Sequence, residues 1–103
     1  MNIPETDQAS VLEQLQAYSG RTAIYLFTPL CGTCKLGERM LEIALAAGAS
    51  VPLSKLNINY APQLREKWRI SSVPCLVLLE HGSPVKKEYA MQAVDHVYSL
   101  LKE

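Results

Sequence analysis

Neither sign of charge is in excess in this chain of 103 residues: ten Lys and Arg offset ten Asp and Glu, for a formal net charge of +0 at pH 7. A neutral chain sets up no long-range field to draw it onto nucleic acid or an anionic membrane, so neither is expected as a partner. Long apolar runs are missing too, none approaching the ~18 residues that a membrane span needs. The opening "MNIPETDQAS" has neither the basic region nor the apolar stretch of a signal peptide. Cysteine is scarce, with three residues, which rules out a disulfide framework and raises reactivity or metal binding instead. There is no internal repeat, low-complexity segment or linker. What remains is an apolar fraction of 49% and a charged fraction of 19%, an ordinary globular composition. It fits one domain over residues 1–103, with 1–9 as an irregular lead-in. The expectation is a monomeric, cytoplasmic protein whose thiols sit in a reducing compartment.

Periodicity divides the chain into alternating elements. In "ASVLEQLQAY", Val11, Leu12, Leu15 and Tyr18 recur at helical spacing, with Ser10 and Glu13 as a capping box and Gly20 as the stop. "TAIYLFT", residues 22–28, is a continuous apolar run, the pattern of a strand covered on both faces. Leu36, Met40, Ile43, Ala44 and Ala47 mark the inner face of a second helix. "VPLSKLNI" reads as a strand, "APQLREKW" as a short helix with Ala61, Leu64 and Trp68 inward, and "VPCLVLLE" as an apolar strand. "HGSP" turns the chain into an edge strand, "VKKEYA". "QAVDHVYSLLKE" closes as a helix with Val94, Val97, Leu100 and Leu101 inward. The order α-β-α-β-α-β-β-α implies an α/β fold with a mixed four-stranded sheet flanked by helices.

Between the first strand and the second helix stands "PLCGTCK", with Cys31 and Cys34 one helical turn apart. At a helix N-terminus the free amides and the macrodipole favour a thiolate, the nucleophile of disulfide exchange. Cys31 is the candidate attacking thiol. Cys34 is the candidate resolving thiol, within reach of a mixed disulfide on its neighbour. Two other readings stay open from the residues alone. The pair could be inert, although the polar residues around it argue for an exposed loop. It could also be half of a metal site, but only Cys75, His81 and His96 remain as further ligands, at spacings that match no zinc motif. A metal shared between two chains through the cysteines would escape that objection.

"CGTCK" ahead of a helix, "KLNIN" on the next strand and "WRISSVPCLVLLEHG" beyond it resemble the thioredoxin family over roughly residues 10–102. The most specific part is the CxxC paired with a Val-Pro that opens a strand about 40 residues later. The resemblance implies a thioredoxin-like fold lacking the family's first strand, and a cis Pro74 beside the cysteines. It also implies that Val73 and Pro74 bind extended substrate polypeptide, with Leu30, Gly32 and Thr33 completing the substrate surface. Departures from the family pattern are informative. Leu30 replaces a tryptophan and Thr33 the proline of CGPC. Tyr25 stands where a buried aspartate assists proton transfer, which leaves the matching Lys55 without that partner. Arg39 replaces a helix-kinking proline, with Gly37 as the nearest flexible residue. Cys75 follows Pro74 where threonine is usual, either as a small buried group or as a third redox-active thiol. His81 and His96 read as solvated surface residues.

The implied activity is that of a thiol–disulfide oxidoreductase reducing protein disulfides through a Cys31–Cys34 dithiol/disulfide cycle, with no bound cofactor. With no nucleotide-binding fingerprint in the chain, electrons are expected from a thioredoxin-reductase-like donor. Two alternatives are a thioredoxin-fold binding or adaptor module with a vestigial or regulatory CxxC and a metal- or iron–sulfur-binding dimer.

Overall fold

A computed structural model describes residues 2–17, 19–89, 91 and 93–102. Strands β1 (Arg21–Phe27), β2 (Leu53–Asn57), β3 (Cys75–Glu80) and β4 (Ser83–Glu88) form one sheet in the order β2-β1-β3-β4. The helices are α1 (Gln8–Ala17), α2 (Gly32–Ala46), α3 (Pro62–Lys67) and α4 (Val94–Leu101). β1 runs parallel to β2 and antiparallel to β3, and β3 runs antiparallel to β4, so the sheet is mixed as expected. The expected order of elements is found, with a single 3-10 turn, Ile58–Tyr60, added after β2.

β1 and β3 are buried on both faces, as their unbroken apolar runs require. The period-2 alternation of the strands divides the core in two. Ala23 and Tyr25 of β1 and Leu76 and Leu78 of β3 pack with Leu41 and Ala44 of α2 and Val97 and Leu101 of α4. Ile24 and Leu26 of β1 and Cys75, Val77 and Leu79 of β3 pack with Val11 of α1 and with Leu64 and Trp68 at α3. The end of the sheet where β1 runs out and β3 begins thus lies between the two layers, and it carries the cysteines.

Three expectations need correction. The lead-in is not wholly irregular: Glu5 bridges to Lys55 in parallel, with Lys55 N–H donating to the Pro4 carbonyl at 2.9 Å and Thr6 N–H to the Lys55 carbonyl at 2.8 Å. Ile3 is buried by this pairing. α1 starts earlier than a Ser10–Glu13 box allows, because Asp7 Oδ1 accepts from Ser10 N–H at 2.8 Å and its carboxyl is held below its usual range by that bond. Tyr18 lies outside the described residues. In α2 the buried positions are Cys34, Gly37, Leu41 and Ala44. That stripe is rotated from the expected one and leaves Leu36 and Ile43 exposed. A count of large apolar residues misses it because cysteine and glycine take the inner positions nearest the site.

His81 and Gly82 both have positive φ, 53° and 81°, as a two-residue type I′ hairpin turn requires. His81 N–H donates to the Gly20 carbonyl at 2.8 Å, and Gly20 N–H donates to His81 Nδ1 at 3.2 Å. His81 is therefore exposed but anchored. A Cβ on Gly82 would run into the Leu15 carbonyl oxygen at the end of α1. Gly82→Ala combines that backbone clash with a left-handed conformation, and should lower unfolding stability in urea by about 2 kcal/mol or more. A loss below about 0.5 kcal/mol would show that the turn adapts freely.

Candidate active site

Cys31 is the N-cap of α2, in extended conformation at φ −99° and ψ 110°. Its sulfur accepts from Cys34 N–H at 3.1 Å, a bond that a Ser or Asp side chain makes at an ordinary N-cap. Its own N–H donates to the Thr28 carbonyl at 3.3 Å, and its carbonyl accepts from Lys35 N–H at 3.2 Å as α2 begins. The Cys31 and Cys34 sulfurs are joined in a disulfide, with Cα atoms 5.1 Å apart, inside the usual range for such a bond. The two sulfurs differ in access: Cys31 is partly exposed, while Cys34 is 2% exposed. A disulfide sulfur carries no hydrogen, so at 3.3 Å the Thr33 hydroxyl is the donor to Cys31 Sγ. Thr33 thus supplies a hydrogen bond that a proline at this position could not.

The register sets the neighbours. Leu26 pairs with Cys75, which puts Val73 and Pro74 opposite the end of β1 and beside the Cys31 loop. The Val73–Pro74 peptide bond is cis. Thr33 and Pro74 line one hollow, together with Leu36, Gly37, Tyr89 and Met91. Leu30 stands clear of the body at 97% exposure, and a Cβ on Gly32 would meet only open space. Leu30, Cys31, Gly32, Thr33, Val73 and Pro74 therefore share one accessible end of the sheet.

Tyr25 lies beneath them. Its hydroxyl donates to the Cys34 carbonyl at 2.8 Å rather than reaching Lys55. Burial, then the nearby Glu38 carboxylate, pushes its pKa up, so it is a neutral phenol at any physiological pH. Gly37 is explained by the same contact. A Cβ there would collide with the Tyr25 hydroxyl and press on Met91 Cε at 3.0 Å. Gly37 is thus not a flexible point: α2 runs through it without a break.

Lys55 does have a carboxylate partner, supplied by α2 instead of β1. Its Nζ donates to Glu38 Oε2 at 3.0 Å, with both side chains about three-quarters buried, and lies 5.5 Å from the Phe27 ring centroid. Sequence reading missed Glu38, although it stands one helical turn beyond Cys34. Cys75 is buried completely and packs in the α1/α3 layer, on the face of the sheet opposite Tyr25. Burial pushes its thiol up to about 11. His96 pairs with Glu88 at 3.1 Å on the surface. Among the described residues, no three His, Cys, Asp or Glu side chains converge on a point that could hold a metal ion, and no helix is long and apolar enough to cross a membrane.

The family model described as Thioredoxin matches residues 3–103. The chain belongs to the thioredoxin family. With a CxxC pair that closes a disulfide, it is a thiol–disulfide oxidoreductase of that family. It is 38% identical over 80 residues to the thioredoxin-like protein YusE of Bacillus subtilis (strain 168), an alignment covering 78% of this chain and 76% of that one. It is 29% identical over 85 residues to the thioredoxin of Chlamydia trachomatis, covering 82% and 83%. A solved mutant thioredoxin from Halobacterium salinarum NRC-1 superposes with a TM-score of 0.82 at 20% identity, covering 97% of this chain and 88% of that chain. That likeness is one of fold.

Two measurements test these contacts. Tyr25→Phe should cost about 1 kcal/mol through its lost hydrogen bond, and Gly37→Ala should cost more. Their double variant should fall well short of the sum, because deleting the hydroxyl makes room for the methyl. Strict additivity would show that the two residues are not in contact. For Cys75 the folded thiol titrates near 11 and the unfolded one near 9.0, so the folded state holds its proton more tightly. The stability contributed is full below pH 9 and is lost as pH rises to 11. Across that window the wild type should lose on the order of 2 kcal/mol more than Cys75→Ala. Parallel curves would mean that the thiol is not desolvated.

Proposed function

We propose that the protein reduces disulfides in other proteins, with Cys31 as the attacking thiol and Cys34 as the resolving thiol. The observation that carries this assignment is the asymmetry of the pair: Cys31 is the partly exposed N-cap of α2, and Cys34 is buried one turn inside. Helix amides directed at Cys31 stabilise negative charge on its sulfur once the disulfide is opened.

In the reduced protein, Cys31 thiolate attacks one sulfur of the substrate disulfide. A mixed disulfide forms, and the other substrate sulfur leaves as a thiolate. Cys34 then gives up its proton, through water, to that thiolate and attacks Cys31 Sγ. The mixed disulfide breaks, the second substrate thiolate departs, and the Cys31–Cys34 disulfide closes. Two electrons pass from the cysteine pair to the substrate. The Cys34 N–H that already reaches Cys31 Sγ supports this order, since it holds the first turn in the geometry that closure needs. Leu30, Gly32 and Thr33 present an exposed, partly apolar surface around Cys31, and the half-buried Val73 and Pro74 beside it are suited to an extended chain. Tyr25 and Lys55 act from beneath, through the Cys34 carbonyl and Glu38. Return to the dithiol requires an external donor, for which we propose a thioredoxin-reductase-like protein, with the chain acting as a monomer in the cytoplasm.

Turnover of insulin disulfides with dithiothreitol as electron source tests the reading. Wild type should accelerate reduction, and Cys31→Ser should abolish the acceleration. Cys34→Ser should accumulate a covalent complex with a substrate protein, visible on non-reducing gels. No acceleration by wild type would favour an adaptor role instead.

A further inference from the structure

On the β2 side of Cys31 lies a second hollow, of about 160 Å³. Its apolar lining is Ile58, Ile70 and Val73, and its polar lining is Thr28, Asn59 and Ser72. It reaches the cysteine loop through Thr28, whose carbonyl receives the Cys31 N–H. The one charged residue that lines it is Arg65, exposed on α3. Among the described residues the Arg65 guanidinium has no ion pair and no side-chain hydrogen bond, and no carboxylate lines the hollow. The hollow on the other side of the site, bounded by Thr33, Leu36, Pro74 and Met91, has no charged lining residue among the described residues.

A chain laid along Val73 and Pro74 therefore meets a cationic, half-apolar cup on one flank and a neutral one on the other. We propose that Arg65 makes the enzyme selective for disulfides whose cysteine carries an acidic side chain on one flank, the Asp or Glu methylenes resting on Ile58 and Ile70 and its carboxylate meeting the guanidinium. This rests on the disulfide-reductase reading above and names the substrates that the same site favours. The guanidinium fork suits a carboxylate in two-point contact. An exposed pair of this kind changes a rate by roughly two- to fivefold, and salt weakens it.

The test uses the fully reduced protein as sole electron source, each Cys31–Cys34 dithiol reducing one peptide disulfide to two thiols. Substrates are symmetric disulfides of a short single-cysteine peptide with Glu, Gln or Lys at each position flanking the cysteine. Each second-order rate is divided by that peptide's rate with dithiothreitol, which removes the effect of charge on intrinsic thiol reactivity. Wild type should prefer Glu to Gln about two- to fivefold on one flank only. The ratio should fall to about one in Arg65→Gln and invert in Arg65→Glu, where Lys becomes the best residue. Lys67→Gln, which removes a cation elsewhere on α3, should keep the wild-type ratio. A wild-type ratio near one on both flanks overturns the proposal, and so does a preference that survives Arg65→Gln or vanishes equally in Lys67→Gln. If the Gln peptides are reduced without a Glu preference, the selectivity alone fails. If wild type reduces no peptide, the reductase reading fails and the selectivity with it.

Discussion

One buried hydroxyl decides how α2 sits on the sheet. Tyr25 donates to the Cys34 carbonyl, and Gly37 is bare because that hydroxyl occupies the space where a side chain would begin. The rotation of α2 follows from this contact, and with it the turning inward of Cys34 and the outward placement of Leu36. A helix rotated by one residue would carry about 100° of turn, enough to exchange the roles of its inner and outer positions. The difference in access between the two cysteines is thus set from beneath, by a residue of β1 whose hydroxyl holds the Cys34 carbonyl.

The electrostatics below the site follow a different arrangement from the one the sequence resemblance suggests. A phenol held neutral by burial replaces an acid on β1, and the carboxylate that neutralises Lys55 comes from α2. An ion pair with both members about three-quarters buried is held by its geometry as much as by its charge. Lys55 has a second neighbour in the Phe27 ring, so its stem and head are fixed on two sides. Glu38 and both cysteines then belong to one helix, and a shift of α2 would carry charge and sulfur together.

Much of this was readable from residues alone, and the reason differs by element. β1 and β3 announce themselves because strands covered on both faces must be apolar throughout, and "TAIYLFT" and "VPCLVLLE" are. The cysteine loop is legible because helix entry, CxxC and the later Val-Pro are local signals in a fixed order. The inner face of α2 was not legible, since Cys34 and Gly37 are core residues there only because of Tyr25 across the layer. The pairing of the lead-in with Lys55 depends on a bridge across some fifty positions, beyond any periodicity window. Glu38 and Arg65 look like ordinary solvated charges in sequence. They gain meaning from what the fold sets beside them: Lys55 for one, a hollow next to Cys31 for the other.

That lead-in has a bearing on how the outer strands of the sheet are guarded. A four-stranded sheet has two outer strands, each with a row of unused backbone groups able to recruit a strand from another molecule. On β4 the row is interrupted by Pro84 and flanked by Lys86 and Lys87, a proline and two charges that discourage stacking. On β2 the guard is the chain itself, as Pro4 and Thr6 occupy the amide and carbonyl of Lys55. The few residues ahead of α1 therefore serve as a latch on the open side of the sheet. Without them, the strand that carries Lys55 would be the most inviting place for two copies to zip together.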